Sequence, residues 1–361
     1  MRNDGGGAEG GGRQTPRLTG IVLLLVCAGL LAACGGGLGG GTPDEKALAA
    51  AQLGKRGANE NIATLVEAIE TQPELVQINA VDALGRIGTK RAVDALARFI
   101  EHESLLVRVA VAQALRDVEP EFYPDAAEVL VRMGEQALPR GPGDDPALEV
   151  RRTVTTSLAV VKQPAGIDFL LQRLANDYDE NIRNASVMTL GRLGDPRAVD
   201  SLIEVYHTDN NRNRSWAVEA LGEIGDPKGL ATVLEALQDF DAVTRGKAAW
   251  AVMQLQGDRA REVIEQALAI EEDDLAAVVM AHCLALMGDK AAVAFLEDRT
   301  LRARSELARA EAARILGDVG RRESMEVLDK AFYEDRDGLV KREAGISMRK
   351  LIERFPSESA S

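Results

Sequence analysis

Reactive side chains are few in this chain and far apart. Its cysteines are Cys27, Cys34 and Cys283, and its histidines are His102, His207 and His282. Cys27 lies inside an apolar run, Cys34 closes that run, and Cys283 stands alone in the body, so the body cannot build a disulfide framework. A bound metal needs several ligands close together, whereas the three histidines fall in separate stretches and only His102-Glu103 pairs a His with a Glu. No phosphate-cradling glycine loop, dinucleotide fingerprint, zinc-protease helix or serine nucleophile elbow is present. The residues therefore predict no catalytic constellation, no metal and no cofactor. What remains to be explained is the framework that carries them.

The first element is N-terminal. A polar, glycine-rich opening with three arginines leads into the apolar run Ile21–Cys34, which is short for a membrane span and suits the core of an export signal. The residues Leu31-Ala32-Ala33-Cys34 resemble a bacterial lipobox. That resemblance implies diacylglyceryl transfer to the Cys34 sulfur, cleavage before Cys34, and a lipid-anchored mature protein with residues 1–33 as its signal peptide. Residues 34–44 are then a glycine-rich tether, of which ten residues span roughly 16–19 Å. Gly35 stands where an Asp would signal inner-membrane retention, which favours the outer membrane, on its periplasmic face or surface.

The body is periodic. Leu53, Leu84, Leu115, Leu158, Leu190, Leu221, Met253, Leu284 and Leu316 form a column spaced by 31 or 32 residues, with one interval of 43. Four residues further on, seven of the nine positions are Gly, the exceptions being Glu119 and Lys162. Each such Gly suits the left-handed corner after a helix, and in Gly194-Asp195-Pro196 the Asp can cap the next helix with Pro at its first position. Small residues such as Ala83, Ala114 and Ala220 precede the column, as expected where helices cross closely. Two helical patterns and no strand pattern per unit predict stacked α-hairpins. Aromatics make up only 4% of the chain, so the core must be aliphatic.

The pattern around Ile182–Ile203 resembles the HEAT-like repeats first known from bilin lyases. The likeness spans about residues 45–352 and implies an all-α, right-handed superhelical solenoid of about nine hairpins over residues 45–354, with a disordered tail at 355–361. Seven residues before the column that family places an Arg, matched here by Arg108, Arg151, Arg183, Arg214 and Arg309; Gln77, Gly246 and Ala277 depart. The resemblance further implies that this Arg pairs with an Asp in the preceding turn, as Asp177 before Arg183 and Asp209 before Arg214 would allow. HEAT-like deoxyhypusine hydroxylases hold iron with several His-Glu pairs, and the lone His102-Glu103 does not support that activity. Bilin-lyase chemistry on a tetrapyrrole-type cofactor is the alternative that the resemblance offers, although shared repeats specify a scaffold and not its chemistry.

Function is then expected from a surface. The net charge of −14 disfavours nucleic acid as a partner. On the second helix of each hairpin, the face opposite the Leu column presents Asn184, Met188, Ser215, Glu219, Lys247, His282 and Arg314, and by analogy with HEAT arrays it lines the concave side. Trp216 lies near its edge, while Trp250 points toward the flank and the core. Trp216, Glu219, His282 and Arg314 are the expected partner-binding residues. The alternative surfaces are the first-helix layer around Asp200 and Glu204 and the insertion at 139–146, which fills the 43-residue interval. Cys283 falls in the small-residue column and is expected to be a packed thiol. The chain is thus expected to be a non-catalytic protein-interaction scaffold of the bacterial envelope.

Overall fold

The computed structural model describes residues 38, 41–55, 57–137, 145–209 and 211–356. The export signal, Cys34, most of the tether, residues 138–144 of the insertion and residues 357–361 lie outside the described residues. Everything described is helix, turn or loop, with no strand among the described residues.

The chain divides into two compact units that meet in sequence between Phe122 and Tyr123. In the first, a leading helix α1 (Pro43–Leu53) precedes the hairpins α2 (Ile62–Thr71) with α3 (Glu74–Ile87) and α4 (Lys90–Leu96) with α5 (Leu105–Ala114). The second unit opens with α6 (Tyr123–Gln136) and α7 (Leu148–Val161). It continues with α8 (Ile167–Asn176) and α9 (Glu180–Leu193), then α10 (Val199–Thr208) and α11 (Asn211–Ile224). The remaining hairpins are α12 (Leu230–Ala236) with α13 (Ala242–Gln256), α14 (Arg261–Ile270) with α15 (Asp274–Leu286), α16 (Lys290–Arg302) with α17 (Glu306–Val319), and α18 (Ser324–Glu334) with α19 (Gly338–Arg354). Each unit is an α-solenoid segment in which every hairpin lies between its sequence neighbours.

Corner chemistry sets the hairpins. Gly194 and Gly225 take left-handed backbone, φ 68° and 73°, and end α9 and α11. Asp195 Oδ1 then accepts the Arg197 N–H at 2.9 Å and Asp226 Oδ1 accepts the Lys228 N–H at 2.8 Å. Both aspartates cap a short 3₁₀ turn, Pro196–Ala198 or Pro227–Gly229, that leads into the first helix. Lys162 adopts the left-handed conformation without being glycine, φ 48°.

The column is the core. Leu84, Leu115, Leu158, Leu190, Leu221, Leu284 and Leu316 are all buried, each stabilising its hairpin by about 1.5–3 kcal/mol. Leu53, at the end of the leading helix, and Met253 depart from the expectation: both are only half-buried, and next to Met253 it is Val252 that is fully buried. The cause at Met253 is a one-residue shift of register in α13. It also explains the apparent loss of the arginine at Gly246, because Arg245 takes that role.

Second helices approach closely through the glycine that follows the column. A Cβ on Gly191 would lie 2.8 Å from Ala220 Cα, and one on Gly222 would lie 2.7 Å from Ala251 Cα. Only glycine lets these backbones meet.

Candidate interaction surface

Of the arginines seven residues before the column, Arg151, Arg214 and Arg309 tie neighbouring hairpins together, in a direction opposite to the expected one. Arg183 Nη1 donates to the backbone carbonyls of Asp177 and Tyr178 in its own turn, not to the Asp177 carboxylate. That carboxylate accepts Arg151 of the previous hairpin. Arg214 likewise pairs with Asp239, Arg245 with Glu271 and Arg309 with Asp335, each one hairpin ahead. The reason is geometric. One nitrogen of a guanidinium in the first turn of a second helix satisfies the carbonyls of its own turn, and its outer edge faces the next. These pairs belong to the scaffold.

A second network lies across the second helices of the later hairpins. Trp216 on α11 is flanked by cations, with the Arg212 guanidinium 5.9 Å and Lys247 Nζ 6.0 Å from its ring centre. Lys247 Nζ, on α13, donates to Glu219 Oε2 at 2.6 Å and so links α13 to α11. On the same helix Trp250 packs its ring 5.6 Å from that of His282 on α15. On α17, Arg314 forks onto Glu311 at 2.6 and 2.8 Å and lies 3.7 Å from Asp318, which also accepts Lys350 of α19. Burial lowers the imidazole pKa of His282, and the positive charge of Arg314 adds to the effect.

The four expected binding residues therefore fall on three second helices. Lys247 joins Trp216 to Glu219, while His282 senses Arg314 electrostatically and meets Trp250 in ring contact. Trp250 is not a core residue. It is half-buried and lines a cleft of about 480 Å³ with Glu219, Val243, Lys247, Leu275 and Val279. Trp216, His282 and Arg314 stand outside that cleft. One sequence signal for it was Gly246, a glycine inside a helix pattern that has no corner to turn.

Other candidates have structural duties. Cys283 is fully buried, and burial pushes its thiol up to about 12, which leaves it unreactive at neutral pH. His102 Nδ1 accepts the Ser104 N–H at 3.1 Å, and His207 lies 3.9 Å from Glu235 with its ring against Tyr206. Among the described residues no group of three or more His, Cys, Asp or Glu is arranged to hold a metal ion. Asp200 is exposed and pairs with Lys228 of the next hairpin at 2.6 Å, while the Glu204 carbonyl accepts the Thr208 hydroxyl at 2.8 Å. The insertion is held at its ends by Arg151, whose Nη1 donates to the Ala137 carbonyl at 3.1 Å and to Asp145 Oδ2 at 2.6 Å.

Stacked helical hairpins, linked by forward arginine pairs and carrying their polar network on the second helices, define an α-solenoid. The HEAT repeats family matches residues 38–116, 62–139, 143–220 and 209–281. The chain belongs to the HEAT-repeat family. No curated protein sequence matches it. Among solved structures it is similar to Kap121p bound to Nup53p, with 12% identity, a TM-score of 0.50, and coverage of 92% of this chain and 42% of that one. A Kap121p mutant gives 13% identity, a TM-score of 0.51 and the same coverage. The complex of CpcE and CpcF of phycocyanin lyase from a Nostoc species shares 21% identity over 75% of this chain and the whole of that one, at a TM-score of 0.35. The Kap121p likeness is one of fold.

Proposed function

We propose that the chain is a non-catalytic protein-interaction scaffold, anchored to a bacterial envelope membrane by lipid on Cys34. The observation that carries the reading is the network running from Trp216 through Glu219 and Lys247 to Trp250 and His282. It spans α11, α13 and α15 and presents aromatic rings beside the Lys247–Glu219 pair, with Arg212 over Trp216. Its half-buried tryptophans are the residue type that most often anchors protein interfaces. Solenoids bind through extended surfaces of this kind. The Leu31–Cys34 box supports the anchor, and the outer membrane is the favoured membrane because Gly35 follows Cys34.

Two substitutions test the two halves of the proposal. Cys34→Ser should leave the precursor without acyl label and unprocessed by the lipoprotein peptidase; normal fatty-acid incorporation rejects the anchor. Trp216→Ala with Glu219→Arg should weaken crosslinked capture of a protein partner from the native envelope by at least tenfold, with the circular dichroism spectrum unchanged. Capture lost only on deleting residues 139–146, or only on reversing Asp200 and Glu204, rejects this surface.

A further inference from the structure

Beside that network runs a row of apolar side chains that the fold does not use. The second residue of four consecutive second helices is Val243, Leu275, Leu307 and Leu339, at intervals of 32 residues. Val243 is 53% exposed and Leu307 55%, with Leu275 and Leu339 half-buried. The same position also carries the exposed Leu75 and Leu106 in the first unit, but it holds Glu149, Asn181 and Arg212 in the three hairpins just before the row, so the repeat itself does not require an apolar residue there.

The 480 Å³ cleft opens between Val243 and Leu275, walled by Trp250 and Val279. Gly246 is part of its lining and differs from the glycines that follow the column, such as Gly191, Gly222 and Gly317. A Cβ on Gly246 would meet Val279 Cβ at 3.5 Å, an ordinary contact, whereas a Cβ on Gly222 would come within 2.7 Å of the Ala251 backbone. Packing does not demand glycine at position 246, and glycine in a helix interior costs roughly 0.5–1 kcal/mol relative to alanine. What its absent side chain provides is the depth of the cleft.

Spacing and charge specify the occupant. Stacked helices lie about 8–10 Å apart, and seven residues of an α-helix advance about 10.5 Å on one face. An extended strand covers about 10 Å in three residues but turns successive third residues to opposite faces. Over the two central turns, the exposed Glu272, Asp273 and Glu306 belong to no ion pair among the described residues; Arg245 and Arg309 act on Asp273 and Glu306 but are themselves forked onto Glu271 and Asp335, Lys247 in the cleft is paired with Glu219, and Arg304 is the exposed cation beside them. We propose that the ridge and cleft dock an amphipathic helix of a partner protein, with one apolar residue per seven facing the ridge and Lys or Arg beside it. The proposal rests on the scaffold reading and names the partner's chemistry.

The test uses the full-length chain carrying Cys34→Ser and a fluorescein-labelled synthetic helix with Leu on a heptad stripe and Lys on its flanks. Anisotropy should show binding that weakens at least tenfold with Leu275→Asp plus Leu307→Asp, and equally with Gly246→Met, which fills the cleft. Gly246→Ala should bind within about twofold of wild type and report that the helix stays intact. A peptide with Glu in place of Lys should bind at least tenfold more weakly. Absence of binding, equal binding by the Asp variant, or equal binding of the Glu peptide overturns the proposal. So does sedimentation with phosphatidylcholine vesicles, or self-association of the chain, that the Asp variant abolishes. Partner capture through Trp216 and Glu219 without peptide binding leaves the scaffold reading standing and rejects this inference alone.

Discussion

Arg151 holds Asp177 in a fully buried pair, Nε to Oδ2 at 3.0 Å and Nη2 to Oδ1 at 3.4 Å. Its third nitrogen is committed to the two ends of the insertion, Ala137 and Asp145. Tyr178 completes the cluster by donating to Asp145 Oδ2 at 2.8 Å, with the guanidinium 5.6 Å from its ring centre. A second buried guanidinium, Arg173, lies 3.5 Å from Asp177 Oδ2, so two arginines offset two aspartates. One side chain thus closes the insertion onto the hairpin that follows it.

Removing Arg151 should therefore be among the costliest single changes in the second unit. Arg151→Met leaves Asp145 and Asp177 buried with Arg173 alone to balance them, a loss of about 3–5 kcal/mol. Urea unfolding should show that loss, and amide exchange should rise first in α7, α8 and α9, because a solenoid transmits instability to nearest neighbours. A change under 1 kcal/mol, or exchange that rises evenly through the unit, contradicts this account.

The hairpins were legible in the sequence because their signals are local. Gly194-Asp195-Pro196 states its own corner, and Leu190 and Leu221 mark the core by spacing alone. The arginine partners were not legible. Arg183 and Asp177 are neighbours in sequence, yet the Asp177 carboxylate accepts Arg151 from 26 residues away, a choice decided by which edge of the guanidinium faces the next turn. Register was the second obstacle. One extra residue in α13 moves the core position from Met253 to Val252 and the arginine to 245, and a fixed period cannot register an insertion within a helix. On the interaction surface, the face carrying Glu219, His282 and Arg314 followed from periodicity, but the cleft did not, because its lining is shared between hairpins, Val243 and Trp250 on α13 with Leu275 and Val279 on α15.

The glycine after the column makes a steric claim. Gly222→Ala places a methyl carbon 2.6 Å from Ala251 Cβ and 2.7 Å from its Cα, so the two second helices must separate. The expected loss is about 1–3 kcal/mol, the cost of overpacking, despite the gain in helix propensity. Thermal unfolding of Gly222→Ala beside Gly246→Ala measures the difference, and the two should shift the midpoint in opposite directions. Equal stabilisation by both would show that the close approach is not needed.

Lys162 makes the converse claim. It ends α7 at φ 48° and ψ 52°, a left-handed corner that Gly88, Gly194 and Gly225 make elsewhere, and its Cβ crowds the backbone there. Lys162→Gly should stabilise the second unit by about 0.5–1 kcal/mol, the part of the left-handed penalty that survives glycine's greater freedom in the unfolded chain. Chemical denaturation with an unchanged slope is the appropriate measurement. A loss of stability would mean that the Lys162 side chain contributes more than its backbone costs.

Arg245 and Glu271 supply a prediction about pH. The Arg245 fork donates to both Glu271 oxygens, at 2.6 and 2.7 Å, and the Asp273 N–H adds a third bond at 2.9 Å. Burial pushes the Glu271 carboxyl up, but these hydrogen bonds and the charge of Arg245 outweigh it and hold the group below its usual value. Asp335 is balanced the same way by Arg309. A carboxyl with a lower pKa folded than unfolded stabilises the fold fully above its unfolded value of about 4, and that stability decays as pH falls through the folded value. In Arg245→Met the fork is gone and burial dominates, so the Glu271 pKa rises and its charge becomes a penalty at neutral pH. The variant should therefore be about 3 kcal/mol less stable than wild type near pH 7, and the gap should narrow steadily as the pH is lowered toward 3. Urea unfolding of both proteins across that range decides the matter. A gap that stays constant from pH 7 to pH 3 would assign the role of Arg245 to packing and its carbonyl bonds, with no contribution from the Glu271 charge.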